Sequence, residues 1–138
     1  MRVLVDTSVW SLALRRSQPA NDQWVSELAE LIDEQRVVMI GPIRQELLSG
    51  IRNPRQFATL REHLQAFPDL QLSPADYEQA AEFYNLCRSK GVHGSNTDFL
   101  LCAVAVNHNL AILTSDQDFQ RFAEHLPIVL HPVRAKGA

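Results

Sequence analysis

Cysteine is nearly absent from this chain: Cys87 and Cys102 are the only two in 138 residues. Two cysteines cannot build a disulfide framework, and without CxxC spacing they suggest neither a zinc ribbon nor a redox pair. Both stand in apolar helical contexts, where a thiol behaves as a small buried hydrophobe. A reducing compartment, the cytoplasm, is the expectation. No apolar run approaches the roughly 18 residues of a membrane span, and the first residues lack a charged segment followed by an apolar stretch and cleavage site. The five histidines (63, 93, 108, 125 and 131) show no HxH or HExxH spacing, so zinc is not expected. Gly91-Val92-His93-Gly94 matches neither GxGxxG nor a Walker A loop. Basic residues are not in excess either. Thirteen Lys and Arg against sixteen Asp and Glu give a net charge of −3, the reverse of the usual nucleic-acid footprint.

What the chain does have is apolar substance, 46% of its residues. That excludes a disordered chain, and five Gly with seven Pro exclude low complexity. The length suits one domain spanning 1–138. Arg2-Val3-Leu4-Val5, Val37-Val38-Met39-Ile40, Leu110-Ala111-Ile112-Leu113 and Pro127 to Leu130 read as strands. The first three are continuously apolar rather than alternating, as a parallel sheet covered on both faces requires. Helices are expected between them. One begins near Ser8 or Val9, followed by a polar loop from Arg15 to Asn21. A second carries Trp24, Leu28, Leu31 and Ile32 on one face, and a third opens at Gly41-Pro42 and ends at Gly50. Asn53-Pro54 opens a fourth, with Phe57, Leu60 and Leu64 at helical spacing. Ser73-Pro74 opens a fifth, with Tyr77, Ala80, Ala81, Tyr84 and Cys87, that stops at Lys90-Gly91. Phe99 to Val106 is unbroken and follows the cap residues Ser95, Asn96 and Thr97, so a central buried helix is expected. Ser115 is expected to cap a short helix through Phe122. The fold class is α/β, a three-layer sandwich with a central parallel sheet and helices on both faces.

In such a sheet, ligands bind beyond the carboxyl ends of the strands. Asp6 directly follows the first strand and Asp116 follows the third, with Thr114 two residues before it. Glu46 lies about a turn into the helix after the second strand, and Asp98 opens the buried helix. Asp118 stands two residues past Asp116. Taken singly, each has an ordinary explanation: Asp6 and Asp116 as caps, Asp98 at the positive end of a helix dipole, Glu46 as a solvated helix residue. Gathered at one edge, they would repel one another unless a cation neutralised them. A hard divalent ion, Mg²⁺ or Mn²⁺, suits oxygen ligands and substrate phosphates. Metal-assisted phosphodiester hydrolysis is the reaction class that follows. Arg44, Arg52, Arg55 and Arg61, with Arg15 and Arg16, form a loose basic stretch that could track phosphates. Trp10 and Trp24 are read as core or interface residues.

The same residues carry a resemblance. Asp6-Thr7-Ser8-Val9-Trp10 after an N-terminal strand, the acid within Gly41 to Gly50, Asp98-Phe99-Leu100-Leu101-Cys102-Ala103, and Thr114-Ser115-Asp116-Gln117-Asp118-Phe119 resemble the four motifs of PIN-domain ribonucleases, most closely the VapC-type toxins. The resemblance implies a divalent-metal-dependent endoribonuclease, commonly homodimeric and inhibited by a VapB-like antitoxin. It implies Asp6, Asp98 and Asp116 as metal ligands and Glu46 as the fourth acid. Thr114 or Thr7 would be a supporting hydroxyl, and Asp118 a further acid. Arg44, Arg52 and Arg55 become candidate RNA or antitoxin contacts. Leu100-Leu101-Cys102-Ala103 departs from the family's usual Ile-Ala-Ala, a change of packing rather than of acids. The alternative is a PIN-like module that binds RNA or protein without cutting. A haloacid-dehalogenase-type phosphatase is set aside, because its second Asp would stand at Ser8. Without the four acids the charge moves from −3 to +1, so the acidity no longer opposes an RNA substrate.

Overall fold

The computed structural model describes residues 1–14 and 22–135. The polar loop expected over 15–21, with Arg15 and Arg16, lies outside the described residues. Three short strands form a parallel sheet: β1 (Val3–Val5) in the centre, β2 (Val37–Val38) on one side and β3 (Ala111–Leu113) on the other. Val3, Leu4 and Val5 are all fully buried. Successive strand side chains point to opposite faces, so both faces of the sheet are covered. The covering comes from α1 (Thr7–Leu14), α2 (Gln23–Asp33), α3 (Gly41–Leu48), α4 (Pro54–Leu64), α5 (Pro74–Ser89), α6 (Asn96–Asn107) and α7 (Asp118–Ala123).

The unbroken run at Phe99 is the buried helix the cap residues imply. Phe99 through Ala105 are all buried within α6, and a helix apolar all round belongs inside the core. Cys87 and Cys102 are buried, free thiols. Phe99, Phe119 and Phe122 form an aromatic cluster, with Phe99 4.9 Å and Phe119 5.1 Å from Phe122 between ring centroids. Among the described residues no helix is long and apolar enough to cross a membrane.

Several sequence expectations need correction. The segment from Pro127 to Leu130 is no strand. It touches the sheet at one parallel bridge, Leu130 to Ile112, where the Ile112 N–H donates to Val129 and His131 N–H donates to Ile112. Pro127 has no N–H to extend a ladder there. The face of α2 is narrower than expected: Leu28 and Leu31 are buried, but Ile32 is exposed. On α5 the buried stripe is Ala80, Phe83 and Cys87, which leaves Tyr77 54% exposed. Ser115 does not cap α7; Gln117 occupies that position.

A buried acid on α2 escaped the apolar pattern altogether. Glu27 is 2% exposed and accepts from His131 at 2.6 Å and from the Arg134 guanidinium at 2.8 Å. Arg134 also reaches Glu34 at 2.7 Å. The chain past the last sheet bridge is thereby tied down across α2. Burial alone would push the Glu27 carboxyl up, but the hydrogen bonds from His131 and Arg134 outweigh it and hold it below the ordinary 4.5. A depressed folded-state value means that this stabilisation is complete above the ordinary glutamate range and disappears as pH falls through the lowered value. Glu27→Ala should therefore lower stability by about 2 kcal/mol at neutral pH. Urea denaturation from pH 7 to pH 3 should show the difference from wild type shrinking on the acid side.

Candidate active site

Because the strands are parallel, their carboxyl ends lie at one edge, and the residues that follow them meet there. Asp6 leaves β1 with its N–H donating to Leu113 at 2.9 Å, and it is 7% exposed. One carboxylate oxygen, Oδ2, accepts from Thr114 Oγ1 and from Ser8 Oγ, both at 2.8 Å. Thr114 Oγ1 in turn accepts from the Asp116 N–H at 3.0 Å. Ser8 Oγ accepts from the Ser115 N–H at 3.1 Å. The first helix turn and the loop after β3 are thus laced together around Asp6.

Asp98 reaches the same edge from α6. It forms a capping box with Ser95: the Ser95 N–H donates to Asp98 Oδ2 and the Asp98 N–H donates to Ser95 Oγ, both at 3.1 Å. Burial raises the Asp98 carboxyl; the bonds to Ser95 oppose it, and the charges of Asp6 and Asp116 push it further up. Asp6 is raised by burial as well, against the hydrogen bonds from Thr114 and Ser8, with Asp116 adding repulsion. Three carboxylates therefore share one electrostatic environment. That is the arrangement a cation relieves.

The remaining candidates divide. Glu46 lies on the exposed side of α3, where its Oε1 accepts from Thr7 Oγ1 at 2.7 Å. Asp118 is exposed at the start of α7 and meets the cluster through its N–H, which donates to Asp116 Oδ1 at 2.9 Å. Among the described residues, no three His, Cys, Asp or Glu side chains form a ready-made metal cage. The reason is visible in the geometry: Asp98 is turned onto its own helix cap and Glu46 onto Thr7. The side-chain groups described at this edge, Asp6, Thr7, Ser8, Glu46, Asp98, Thr114 and Asp116, offer oxygen from carboxylates and hydroxyls, a set that fits a hard ion such as Mg²⁺ or Mn²⁺.

Arg44 is engaged within the fold. Its guanidinium donates to Asp69 at 2.9 Å and to the carbonyls of Leu64 and Phe67, pinning α3 to the end of α4. Arg52 and Arg55 are exposed. Ser8 is the residue that sequence reasoning missed, although a Ser two positions after an Asp is a recognisable side-chain turn signal. Gly94 also gains a role: a Cβ there would stand 2.6 Å from Phe122 Cζ and 3.0 Å from Phe99 Cε2. The aromatic cluster leaves no room beside the cap of α6.

Two outcomes follow from these contacts. Ser8→Ala removes a donor from the Asp6 carboxylate, so a carbon-detected titration of the metal-free protein should place Asp6 higher than in wild type. Gly94→Ala forces the phenyl rings aside and should cost about 1–3 kcal/mol in thermal denaturation.

The chain is similar to known proteins in sequence and in fold. The family model described as PIN domain matches residues 3–125. VapC ribonuclease Mb1587 of Mycobacterium bovis is 31% identical over 125 residues, covering 88% of this chain and 91% of the relative. Ribonuclease VapC11 of Mycobacterium tuberculosis matches to the same extent. Among solved structures, VapBC2 from Rickettsia felis, bound to a DNA fragment from its promoter, superposes with a TM-score of 0.75 at 20% identity over 95% of this chain and 98% of that one. FitAcB from Neisseria gonorrhoeae gives 0.74 at 24% identity, over 94% and 96%. With the parallel sheet, the buried α6 and the acids at one edge in place, the chain belongs to the PIN-domain family, with VapC ribonucleases among its relatives.

Proposed function

We infer that the protein is the toxin of a VapBC-type toxin–antitoxin pair, an endoribonuclease that hydrolyses RNA phosphodiester bonds with Mg²⁺ or Mn²⁺. The observation that carries this reading is the convergence of Asp6, Asp98 and Asp116, where burial and the neighbouring charges hold Asp6 and Asp98 above the ordinary carboxylate range. The 31% identity to VapC ribonucleases over most of both chains supports the same activity.

Asp6, Asp98 and Asp116 would hold the ion. When bound, a divalent ion supplies neutralisation of phosphate charge and acidification of water near neutral pH. The protein's own contribution is orientation. Thr114 and Ser8 each donate to one oxygen of Asp6, fixing the plane of that carboxylate. The Asp116 N–H, donating to Thr114, keeps the loop after β3 against the site. Asp98 stands in the first turn of α6, where the positive end of the helix offsets part of the negative charge. Glu46 is the fourth acid, held at the rim by Thr7.

Partners belong to the same reading. Solved relatives include toxin–antitoxin complexes, such as one from Klebsiella pneumoniae that superposes with a TM-score of 0.60. A VapB-like antitoxin is therefore the proposed inhibitor. The exposed Arg52 and Arg55 remain candidate contacts to RNA or antitoxin. Pairing of two copies is proposed as well, and light scattering at micromolar concentration should give twice 15.6 kDa; a strict monomer would refute it.

The decisive experiment pairs activity with metal binding. Asp6→Asn should remove RNA cleavage in Mg²⁺ or Mn²⁺ while the far-ultraviolet circular dichroism stays native. Chelation should silence the wild type, and added Mn²⁺ should restore it. Mn²⁺ at about 100 times its Kd should stabilise wild type by about 2.7 kcal/mol in thermal unfolding, and that shift should be lost in Asp6→Asn. Cleavage by Asp6→Asn at the wild-type rate would refute the site.

A further inference from the structure

Two clefts of about 500 Å³ each take one acid of the candidate site into their walls, Asp116 in one and Glu46 in the other, a size that accommodates a nucleotide-sized ligand. One is lined from the Glu46 side by Thr7, Pro42, Gln45, Ser49 and Thr97, with no ring other than proline's. The other takes Thr114, Ser115 and Asp116 as one wall and is therefore continuous with the candidate site. Its remaining walls come from α2, from the start of α7 and from the chain past the last sheet bridge, where His131 is fixed by Glu27 at 2.6 Å.

The chemistry of this second cleft is selective. Among the described residues no Lys or Arg lines it, and Asp116 contributes negative charge, so the cleft disfavours a phosphate. A flat, neutral ring with a hydrogen-bonding edge does. Trp24 lines the cleft and is only partly buried, whereas Trp10 is buried in edge contact with Phe67. Indole surfaces stack on any base. Gln117 and Gln120, both exposed, bring amides able to donate and to accept at a base edge. We propose that this cleft is the subsite for the nucleobase flanking the scissile phosphate, with Trp24 as its stacking surface and Gln117 and Gln120 as the residues that select the base. The proposal rests on the ribonuclease reading and adds to it a determinant of sequence preference.

The test separates binding from cleavage. In an Asp6→Asn background, titration with a single-stranded RNA pentanucleotide in Mg²⁺ should quench tryptophan fluorescence saturably. Adding Trp24→Phe, which leaves Trp10 as the only indole, should abolish the quench, and Trp24→Ala in the same background should weaken binding about tenfold, read by anisotropy of labelled RNA. In the otherwise wild-type enzyme, sequenced cleavage ends from a randomised RNA pool should show a base preference at one position beside the cut. Gln117→Ala or Gln120→Ala should flatten that preference about fivefold while other positions and the melting temperature stay as in wild type. A quench that survives Trp24→Phe, the absence of any saturable quench, or an unchanged base preference in both glutamine variants would overturn the subsite. Retained cleavage without quenching defeats only the subsite; quenching without cleavage by wild type defeats only the ribonuclease reading.

Discussion

The structure depends on keeping like charges close together at the end of a buried sheet. Burial raises the proton affinity of Asp6 and Asp98, the charge of Asp116 raises both further, and Asp6 is nearly completely buried. A small domain can hold such a cluster only if the rest of the fold is well packed. The fully buried strand β1, the apolar helix α6 and the Phe99–Phe119–Phe122 cluster beneath it provide that packing. Parallel strand order then does the positioning, because it delivers β1 and β3 to the same edge and starts α1 and α6 there.

Within that frame, short hydrogen bonds set which carboxylates are ready and which are withheld. Thr114 and Ser8 hold Asp6 in a fixed orientation. Asp98 and Glu46 are engaged instead with Ser95 and Thr7. These partners are a backbone N–H and a hydroxyl, groups that a carboxylate can leave for a divalent cation at modest cost, since a single such bond contributes only about 1 kcal/mol net. The arrangement therefore keeps acids near one another without forcing all of them into direct contact.

The C-terminal part of the described chain has a second part in the design. Leu130 bridges to Ile112, and His131 and Arg134 close on Glu27. A buried acid with two basic partners is costly to assemble and costly to break. It fixes where this segment runs. That path also forms one wall of the cleft beside Asp116, so an electrostatic device on α2 bears on the space next to the acids.

Much of this was legible in residue order. Continuous apolar strands between capped helices specify a covered parallel sheet, and an acid placed directly after a strand, as at Asp6, specifies a site at its carboxyl edge. What residue order could not convey was partnership across long separations. Glu27 sits among apolar neighbours on α2 and looks anomalous until His131 and Arg134, more than a hundred residues later, close on it. Arg44 reads as a free cation, but the fold spends its charge on Asp69 and two carbonyls. Ser8 reads as the start of a helix and becomes a donor to Asp6. The distinction is physical: periodicity and caps are local properties of the chain. Whether a charged or hydroxyl side chain is free or committed depends on groups that only the packed sheet and helices bring within about 3 Å.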